Sequence, residues 1–239
     1  MVSNKVNTRI LCVIPARGGS KSIKKKNLIN FNGNPLIYYT ITVAKKFKKS
    51  MDIIVSTDDT EIKNYSESLG VRVPFLRPKK LSNDTALSID VLKHSIEFME
   101  GLKQKKYDDI LMLQPTSPLR NEKHINDSLK LYEEKNVNSL VSVVGVDAYH
   151  PLRMKKIQNN KLVNYIDQGF EDMRPRQSLP KVYIRNGAIY LCKRNLILHE
   201  NKIVDNSCIP YEMNQSESVN IDSEIDLIIA DYFIKKSFQ

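Results

Sequence analysis

Short apolar segments alternate with amphipathic ones along the first 146 residues of the chain. Apolar runs of four to eight residues are typical of buried strands, and apolar residues three and four apart are typical of helices. Alternating strands and helices predict an α/β fold: a mostly parallel sheet with helices on both faces, and ligands beyond the carboxyl ends of its strands. Strands are predicted at 10–15, 53–56, 71–75, 110–113 and 139–146, and helices at 35–46, 61–69, 89–99 and 124–134.

The regular pattern weakens after residue 146. Residues 147–180 are polar, rich in Pro and irregular, whereas a late strand is predicted at 189–191 and a closing amphipathic helix at 224–235. A length of 239 residues fits one domain of ordinary size, so 1–239 is predicted to be a single domain. The irregular segment, at about 147–185, is predicted to be a lid or a flap that pairs with a second subunit.

The chain has a formal net charge of +10, from 37 Lys and Arg against 27 Asp and Glu. This excess favours an anionic partner: nucleic acid, a membrane surface or a phosphorylated small molecule. The lysines are scattered, and a merely soluble lysine-rich surface explains the charge equally well. No run approaches the roughly 20 apolar residues of a membrane span. Three cysteines without a CxxC pair argue against disulfides and zinc, and for a reducing, cytoplasmic compartment.

The strongest local signal is the sequence IPARGGSK at residues 14–21, directly after the first predicted strand, with Lys26 and Asn27 close behind. Glycines allow a backbone to approach phosphate groups closely, and Arg and Lys supply positive charge to them. The order of residues differs from both the Walker A loop and the dinucleotide fingerprint. The segment is therefore interpreted as a phosphate loop of another kind, with a solvated glycine turn as the alternative.

Residues 14–27 resemble the signature loop of the sialic-acid-type cytidylyltransferases, and further segments similar to this family follow in order over about residues 10–230. The resemblance implies a Rossmann-like α/β domain with a small dimerisation extension. Residues 183–187 are more similar to the legionaminate branch of the family. The further segments are Ser56-Thr57-Asp58, Arg77-Pro78, Asp84-Thr85 with Ser88, Gln114-Pro115-Thr116-Ser117-Pro118-Leu119-Arg120, Pro175-Arg176-Gln177 with Leu179-Pro180, Asn186-Gly187-Ala188-Ile189-Tyr190 and Ile221-Asp222-Ser223-Glu224.

The resemblance also implies roles for individual residues. It places the nucleotide on Arg17, Ser20, Lys21, Lys26, Asn27, Arg77, Asp84 and Ser88, although Asp84 fits a turn and Ser88 a helix cap equally well. It places the sugar acid on Gln114, Arg176, Gln177, Tyr183 and Asn186. Arg17, Lys21 and Asp222 are the implied catalytic residues.

A divalent cation, Mg²⁺ or another, is the implied cofactor, and Asp222 is its implied ligand. Many relatives carry Asp two positions earlier, where this chain has Asn220. An amide oxygen can still coordinate Mg²⁺, but it brings no charge. The alternative role for Asp222 is the N-cap of the last helix.

The implied reaction joins CTP to a nine-carbon, nonulosonic sugar acid, such as N-acetylneuraminate or N,N′-diacetyllegionaminate, and releases pyrophosphate. One alternative is another sugar nucleotidyltransferase, such as CMP-octulosonate synthetase. A protein that binds nucleotide or nucleic acid without catalysis is an alternative from a different class. The expected partners are CTP, the sugar acid and a second copy of the chain, with no nucleic acid and no membrane.

Overall fold

A computed structural model describes residues 8–146 and 149–236 of the chain. Within them lie ten strands: β1 Ile10–Pro15, β2 Asn30–Phe31, β3 Asn34–Pro35, β4 Met51–Ser56, β5 Asp109–Met112, β6 Ser139–Gly145, β7 Lys155–Gln158, β8 Lys161–Asn164, β9 Tyr183–Lys193 and β10 Ile209–Glu212. The same residues contain six α-helices: α1 Leu36–Lys45, α2 Thr60–Ser68, α3 Ser88–Lys103, α4 Glu122–Lys135, α5 Arg194–Leu198 and α6 Glu224–Lys236. None of these helices is long and apolar enough to cross a membrane.

The central sheet has six strands in the order β10-β6-β9-β5-β1-β4. β1 runs parallel to β4 and β5, and β10 runs parallel to β6. Only β9 is antiparallel to its two neighbours, β5 and β6. The sheet is therefore mostly parallel, as the alternation of strands and helices predicts.

Both faces of this sheet are covered by helices, because its strands are apolar on both sides. Along β1, Cys12 and Ile14 join a core with α1, α2 and α4, whereas Leu11 and Val13 point to the opposite face and join a core with α3 and α5. This alternation is typical of a sheet buried on two faces. The predicted α/β class is confirmed.

The strand predicted at 71–75 is wrong. This segment forms only isolated bridges beside β4, between Ile54 and Arg72 and between Thr57 and Leu76. Pro74 lies between those bridges, and its lack of an N–H interrupts the ladder. Val73 and its neighbours are still buried against β4, so the apolar pattern reports burial without a strand.

The segment expected to be irregular contains a hairpin, and its first two residues, 147 and 148, lie outside the described part of the chain. β7 and β8 pair antiparallel as a separate two-stranded sheet. The turn between them is Asn159-Asn160, with φ of 52° and 59°, which are the left-handed conformations that a two-residue hairpin turn requires. Ile157 and Leu162 of the hairpin are largely exposed.

Candidate functional site

A cleft of about 410 Å³ opens at the carboxyl ends of β1 and β5. Its walls are the loop after β1, the segment that leads into α3, the loop after β5, and the residues before α6. The sheet position is the one that the α/β pattern predicts for a ligand. Ten of the predicted site residues line it: Arg17, Ser20, Lys26, Asn27, Arg77, Asp84, Ser88, Gln114, Asn220 and Asp222.

The loop after β1 lies directly on the turn between β4 and α2. The backbone N–H of Gly18 donates to Asp58 Oδ1 at 3.0 Å, and a Cβ on residue 18 would lie 2.5 Å from Asp59 Oδ2. Asp59 is itself fixed, because it is the N-cap of α2 and its Oδ1 accepts hydrogen bonds from the N–H groups of Glu61 and Ile62. The loop therefore needs glycine at position 18 and is held in place rather than freely solvated.

Two cations of this loop contact Asp84, which lies on the segment that leads into α3. Arg17 NH1 lies 2.8 Å from one carboxylate oxygen of Asp84, and Lys21 Nζ lies 2.7 Å from the other. These hydrogen bonds, from Lys21 and then Arg17, hold the pKa of Asp84 below its usual range. The Lys21 side chain is 82% exposed and stands at the rim of the cleft. We call this trio the Asp84 clasp.

Lys26 is a third cation at the cleft and reaches the residues that precede α6. Its Nζ lies 2.9 Å from Asp222 Oδ1 and donates to the carbonyl of Ile221 at 3.0 Å. Asn220 Nδ2 donates to the other Asp222 oxygen at 2.5 Å. This contact fixes the direction of the amide, and it leaves Asn220 Oδ1 buried with no hydrogen-bond partner among the described residues.

The side chain of Asp222 does not accept hydrogen bonds from the backbone at the start of α6; the side chain of Asp226 does. Asp226 Oδ2 accepts hydrogen bonds from the backbone N–H groups of Asp222 and Ser223 and from the Ser223 hydroxyl. These bonds satisfy the N–H groups just before α6, which begins at Glu224, and the N-terminus of the helix favours the negative charge of Asp226. The carboxylate of Asp222 is thus free of the helix and faces the cleft, where its partners are Lys26 and Asn220.

Arg77 lines the cleft but is only 6% exposed. It donates to the carbonyl of Ser56 at 2.7 Å and to that of Leu81 at 3.2 Å, while its Nε has no partner in the part of the chain that the structure describes. Burial lowers the pKa of this guanidinium. Arg77 thereby joins the end of β4 to the segment that carries Asp84, and a contact with the nucleotide stays a prediction.

Gln114 lines the cleft and lies directly beside Gly187, and we call this pair the Gln114 wall. Gly187 has φ of +78°, and a Cβ there would lie 2.6 Å from Gln114 Oε1 and 3.3 Å from Asn220 Oδ1. Glycine is required at this position for both reasons. Two amide oxygens, those of Gln114 and Asn220, therefore converge on the point where the backbone of residue 187 carries no side chain.

Four predicted sugar residues, Arg176, Gln177, Tyr183 and Asn186, are not among the residues that line the cleft. The first three are exposed on the 176–178 turn and at the start of β9. Asn186 is buried, and its amide bonds to the hydroxyls of Ser142 at 2.6 Å and Ser218 at 3.0 Å. Within one copy of the chain, Asn186 supports the structure behind Gly187, and its contact with a sugar stays a prediction.

Sequence reasoning assigned no role to Arg120, the last residue of the LQPTSPLR segment. This side chain is only 2% exposed, behind the Gln114 wall. Arg120 lies four residues before the predicted helix at 124–134, and only its place within the family-like segment could have drawn attention to it.

The cytidylyltransferase family model matches residues 11–226. The chain is 31% identical over 229 residues to post-translational flagellin modification protein B of Campylobacter coli, covering 96% of both chains. It is 33% identical over 222 residues to the CMP-N,N′-diacetyllegionaminic acid synthase of Legionella pneumophila, covering 91% of this chain and 93% of the relative.

Among solved structures, CMP:2-keto-3-deoxy-manno-octonic acid synthetase in complex with CTP is similar in fold. The TM-score is 0.68 at 16% identity, and the match covers 96% of this chain and all of the other. Since the family model spans most of the chain and two relatives match it almost from end to end, the chain belongs to the cytidylyltransferase family of nucleotidyltransferase enzymes.

Proposed function

We propose that this enzyme activates a nonulosonic, sialic-acid-like sugar with CTP and forms the CMP-sugar and pyrophosphate. The observation that carries the proposal is one cleft lined by two cations, Arg17 and Lys26, and by two amide side chains, Gln114 and Asn220, with Lys21 paired to Asp84 at its rim. A triphosphate needs several cations, and a hydroxyl-rich sugar needs hydrogen-bonding side chains. The end-to-end similarity to a CMP-legionaminate synthase supports the acceptor class.

In this reaction, the anomeric hydroxyl oxygen of the sugar acid attacks the α-phosphorus of CTP. The new oxygen–phosphorus bond forms as the bond from the α-phosphorus to its β-bridging oxygen breaks, and that electron pair leaves with pyrophosphate. The hydroxyl proton passes to solvent or to a base. Negative charge grows on the leaving oxygens, so preorganised cations at Arg17 and Lys21 stabilise the transition state more than the bound substrates.

We also propose a divalent cation, with Asp222 and Asn220 as its protein ligands. A carboxylate and an unpartnered amide oxygen are donors that suit Mg²⁺, which takes most remaining ligands from phosphates and water. When bound, the cation would offset phosphate charge and lower the pKa of the attacking hydroxyl. No group of three or more His, Cys, Asp or Glu side chains in 8–146 and 149–236 forms a ready-made metal site.

For the whole protein, we propose a cytoplasmic homodimer of single-domain subunits that binds no nucleic acid. Within the predicted flap, the described residues 149–185 expose several large apolar side chains, and a second copy that pairs through this flap would cover them. Light scattering with size-exclusion chromatography should give the mass of two chains, and Ile157→Lys with Leu162→Lys should shift it towards one. The exposed apolar residues of the flap are Tyr149, Met154, Ile157, Leu162, Tyr165, Ile166, Phe170, Met173, Tyr183 and Ile184.

The activity is tested by coupled release of pyrophosphate. CTP, Mg²⁺ and a panel of N,N′-diacetyllegionaminate, N-acetylneuraminate, pseudaminate and octulosonate are supplied, and ATP, GTP and UTP replace CTP in turn. We expect turnover with CTP and at least one nine-carbon acid. Turnover with octulosonate alone would favour the eight-carbon alternative. Binding of random DNA at physiological salt without turnover would overturn the proposal.

The Asp84 clasp leads to a prediction about nucleotide affinity. Asp84→Asn is expected to lower the KM for CTP about two- to fivefold, because the triphosphate no longer competes with a carboxylate for Arg17 and Lys21, and exposed ion pairs are weak. Initial rates at varied CTP check this. Glu61→Gln removes the exposed partner of Lys25 and is the control. A higher KM in Asp84→Asn would instead make Asp84 a nucleotide ligand.

A further inference from the structure

Arg120 is the largest fully buried side chain of the described residues, and no carboxylate among those residues forms an ion pair with it. Burial lowers its pKa to about 10, so the guanidinium still carries its charge at neutral pH. The nearby thiol of Cys12 is neutral, since burial raises its pKa to about 12. A buried charge without a counter-ion is costly, and structures usually retain one only where its hydrogen bonds are needed.

The hydrogen bonds of Arg120 all go to groups behind the Gln114 wall. NH1 donates to the carbonyl of Ala188 at 2.8 Å and to that of Gln114 at 3.2 Å, and NH2 donates to the Thr40 hydroxyl at 2.6 Å. One nitrogen thus joins the end of β5 to the middle of β9. A third element, α1, is tied to the same point through Thr40.

The carbonyls of Gln114 and Ala188 lie on either side of the contact between the Gln114 side chain and Gly187. The Gln114 side chain lies against Gly187, and Arg120 holds the backbone of Gln114 on one side and of Ala188 on the other. β5 and β9 lie next to each other and antiparallel, but their pairing ends at Met112 and Tyr190, short of Gln114 and Gly187. Beyond the last pair, the arginine fork replaces the missing ladder bonds.

We infer that Arg120 is a positioning residue for the acceptor side of the cleft: it sets the separation between Gln114 and Gly187 and thereby the fit of the sugar acid. The inference rests on the proposed function, which places the sugar acid at Gln114. Arg17 and Lys21, which are proposed to bind the triphosphate, lie on the loop after β1, whereas the hydrogen bonds of Arg120 go to Gln114, Ala188 and Thr40. We therefore expect nucleotide binding to be independent of Arg120. Arg120 touches neither substrate.

The test compares two substitutions at Arg120 with the same two at Arg194, a partly buried arginine paired with Glu100 away from the cleft. Arg120→Met is expected to raise the KM for the acceptor that the wild type uses by about tenfold or more, because small misplacements of a binding wall are costly. The KM for CTP should change by less than about twofold. Arg120→Lys keeps the charge and part of the hydrogen bonding, so its acceptor KM should rise less.

Arg194→Met and Arg194→Lys should leave both KM values unchanged. The inference is overturned if Arg120→Met leaves the acceptor KM unchanged, or if the KM values for acceptor and CTP rise together. If Arg120→Met does not fold, Thr40→Val removes one acceptor of the fork at nearly constant volume, and it should raise the acceptor KM alone. An unchanged acceptor KM in that variant also overturns the inference.

Amide hydrogen exchange provides a readout that needs no acceptor. Relative to the wild type and to Arg194→Lys, Arg120→Lys should exchange faster at residues 114–120 and 187–189 and at the same rate in the loop after β1. Equal exchange at 114–120 and 187–189 would overturn the inference even if no sugar acid in the panel is turned over. Absence of turnover with every sugar acid in the panel would by itself count against the proposed function and not against the role of Arg120.

Discussion

Lys21→Ala is expected to lower kcat/KM for CTP by about two to three orders of magnitude, because it removes a preorganised charge that faces the leaving pyrophosphate. The fold should not change. The side chain is 82% exposed, and its ion pair with Asp84 is a surface contact that contributes little to stability. Pyrophosphate release and a thermal melt, measured on the same preparation, separate the two quantities.

Lys24→Ala is the matched control for this prediction. Lys24 lies three residues further along the same loop and is exposed like Lys21, but among the described residues it forms no ion pair with Asp84. It should retain turnover within about twofold, since a solvated charge several residues away is largely screened. Wild-type turnover in Lys21→Ala, or equal losses in both variants, would remove the loop after β1 from the proposed mechanism.

Asp222→Ala is expected to reduce kcat by about 100-fold or more and to raise the Mg²⁺ concentration for half-maximal rate, since metal-site charge stabilises the transition state by several kcal/mol. The substitution also releases Lys26 Nζ from its carboxylate. Asn220→Asp places a second carboxylate at the site, so it should lower the Mg²⁺ concentration required. Rates over a titration of Mg²⁺ and of Mn²⁺ measure both effects.

Glu224→Ala is the control here, because Glu224 is an exposed acid in the first turn of α6 and does not line the cleft. Its metal requirement should match that of the wild type. If neither Asp222→Ala nor Asn220→Ala changes the metal requirement, the divalent cation binds elsewhere. Direct binding of Mn²⁺ with CTP, followed by electron paramagnetic resonance, gives the same comparison without turnover.

The sheet could be predicted from sequence where burial on two faces makes strands apolar throughout. β1 and β5 follow this pattern and were located within one residue at each end. β9 was predicted only at 189–191, because its first three residues are exposed and the pair Asn186-Gly187 is typical of a turn. β10 and α5 were missed, since both are short, and no periodicity shows that β9 runs antiparallel.

The site could be predicted where its residues follow a strand closely in sequence. Arg17 and Gln114 come directly after β1 and β5, so the sheet itself brings them to one edge. Contacts across long sequence separations, such as Lys26 with Asp222, could not be derived from spacing. The burial of Arg120 and of Asn186 could not be predicted from the sequence either. Polar residues are mostly exposed, and only the tertiary packing of this fold buries these two.

The Asp84 clasp makes nucleotide binding an exchange of anions. The excess of positive charge on this protein is not concentrated in the cleft, since Asp84 neutralises one charge of the Arg17–Lys21 pair and Asp222 neutralises Lys26. A singly charged anion that enters must displace a carboxylate and gains little in return. A group with several adjacent charges satisfies both cations at once and releases Asp84 to water, where its charge is well solvated. The internal carboxylate of Asp84 thus weakens the binding of singly charged anions more than that of polyphosphates.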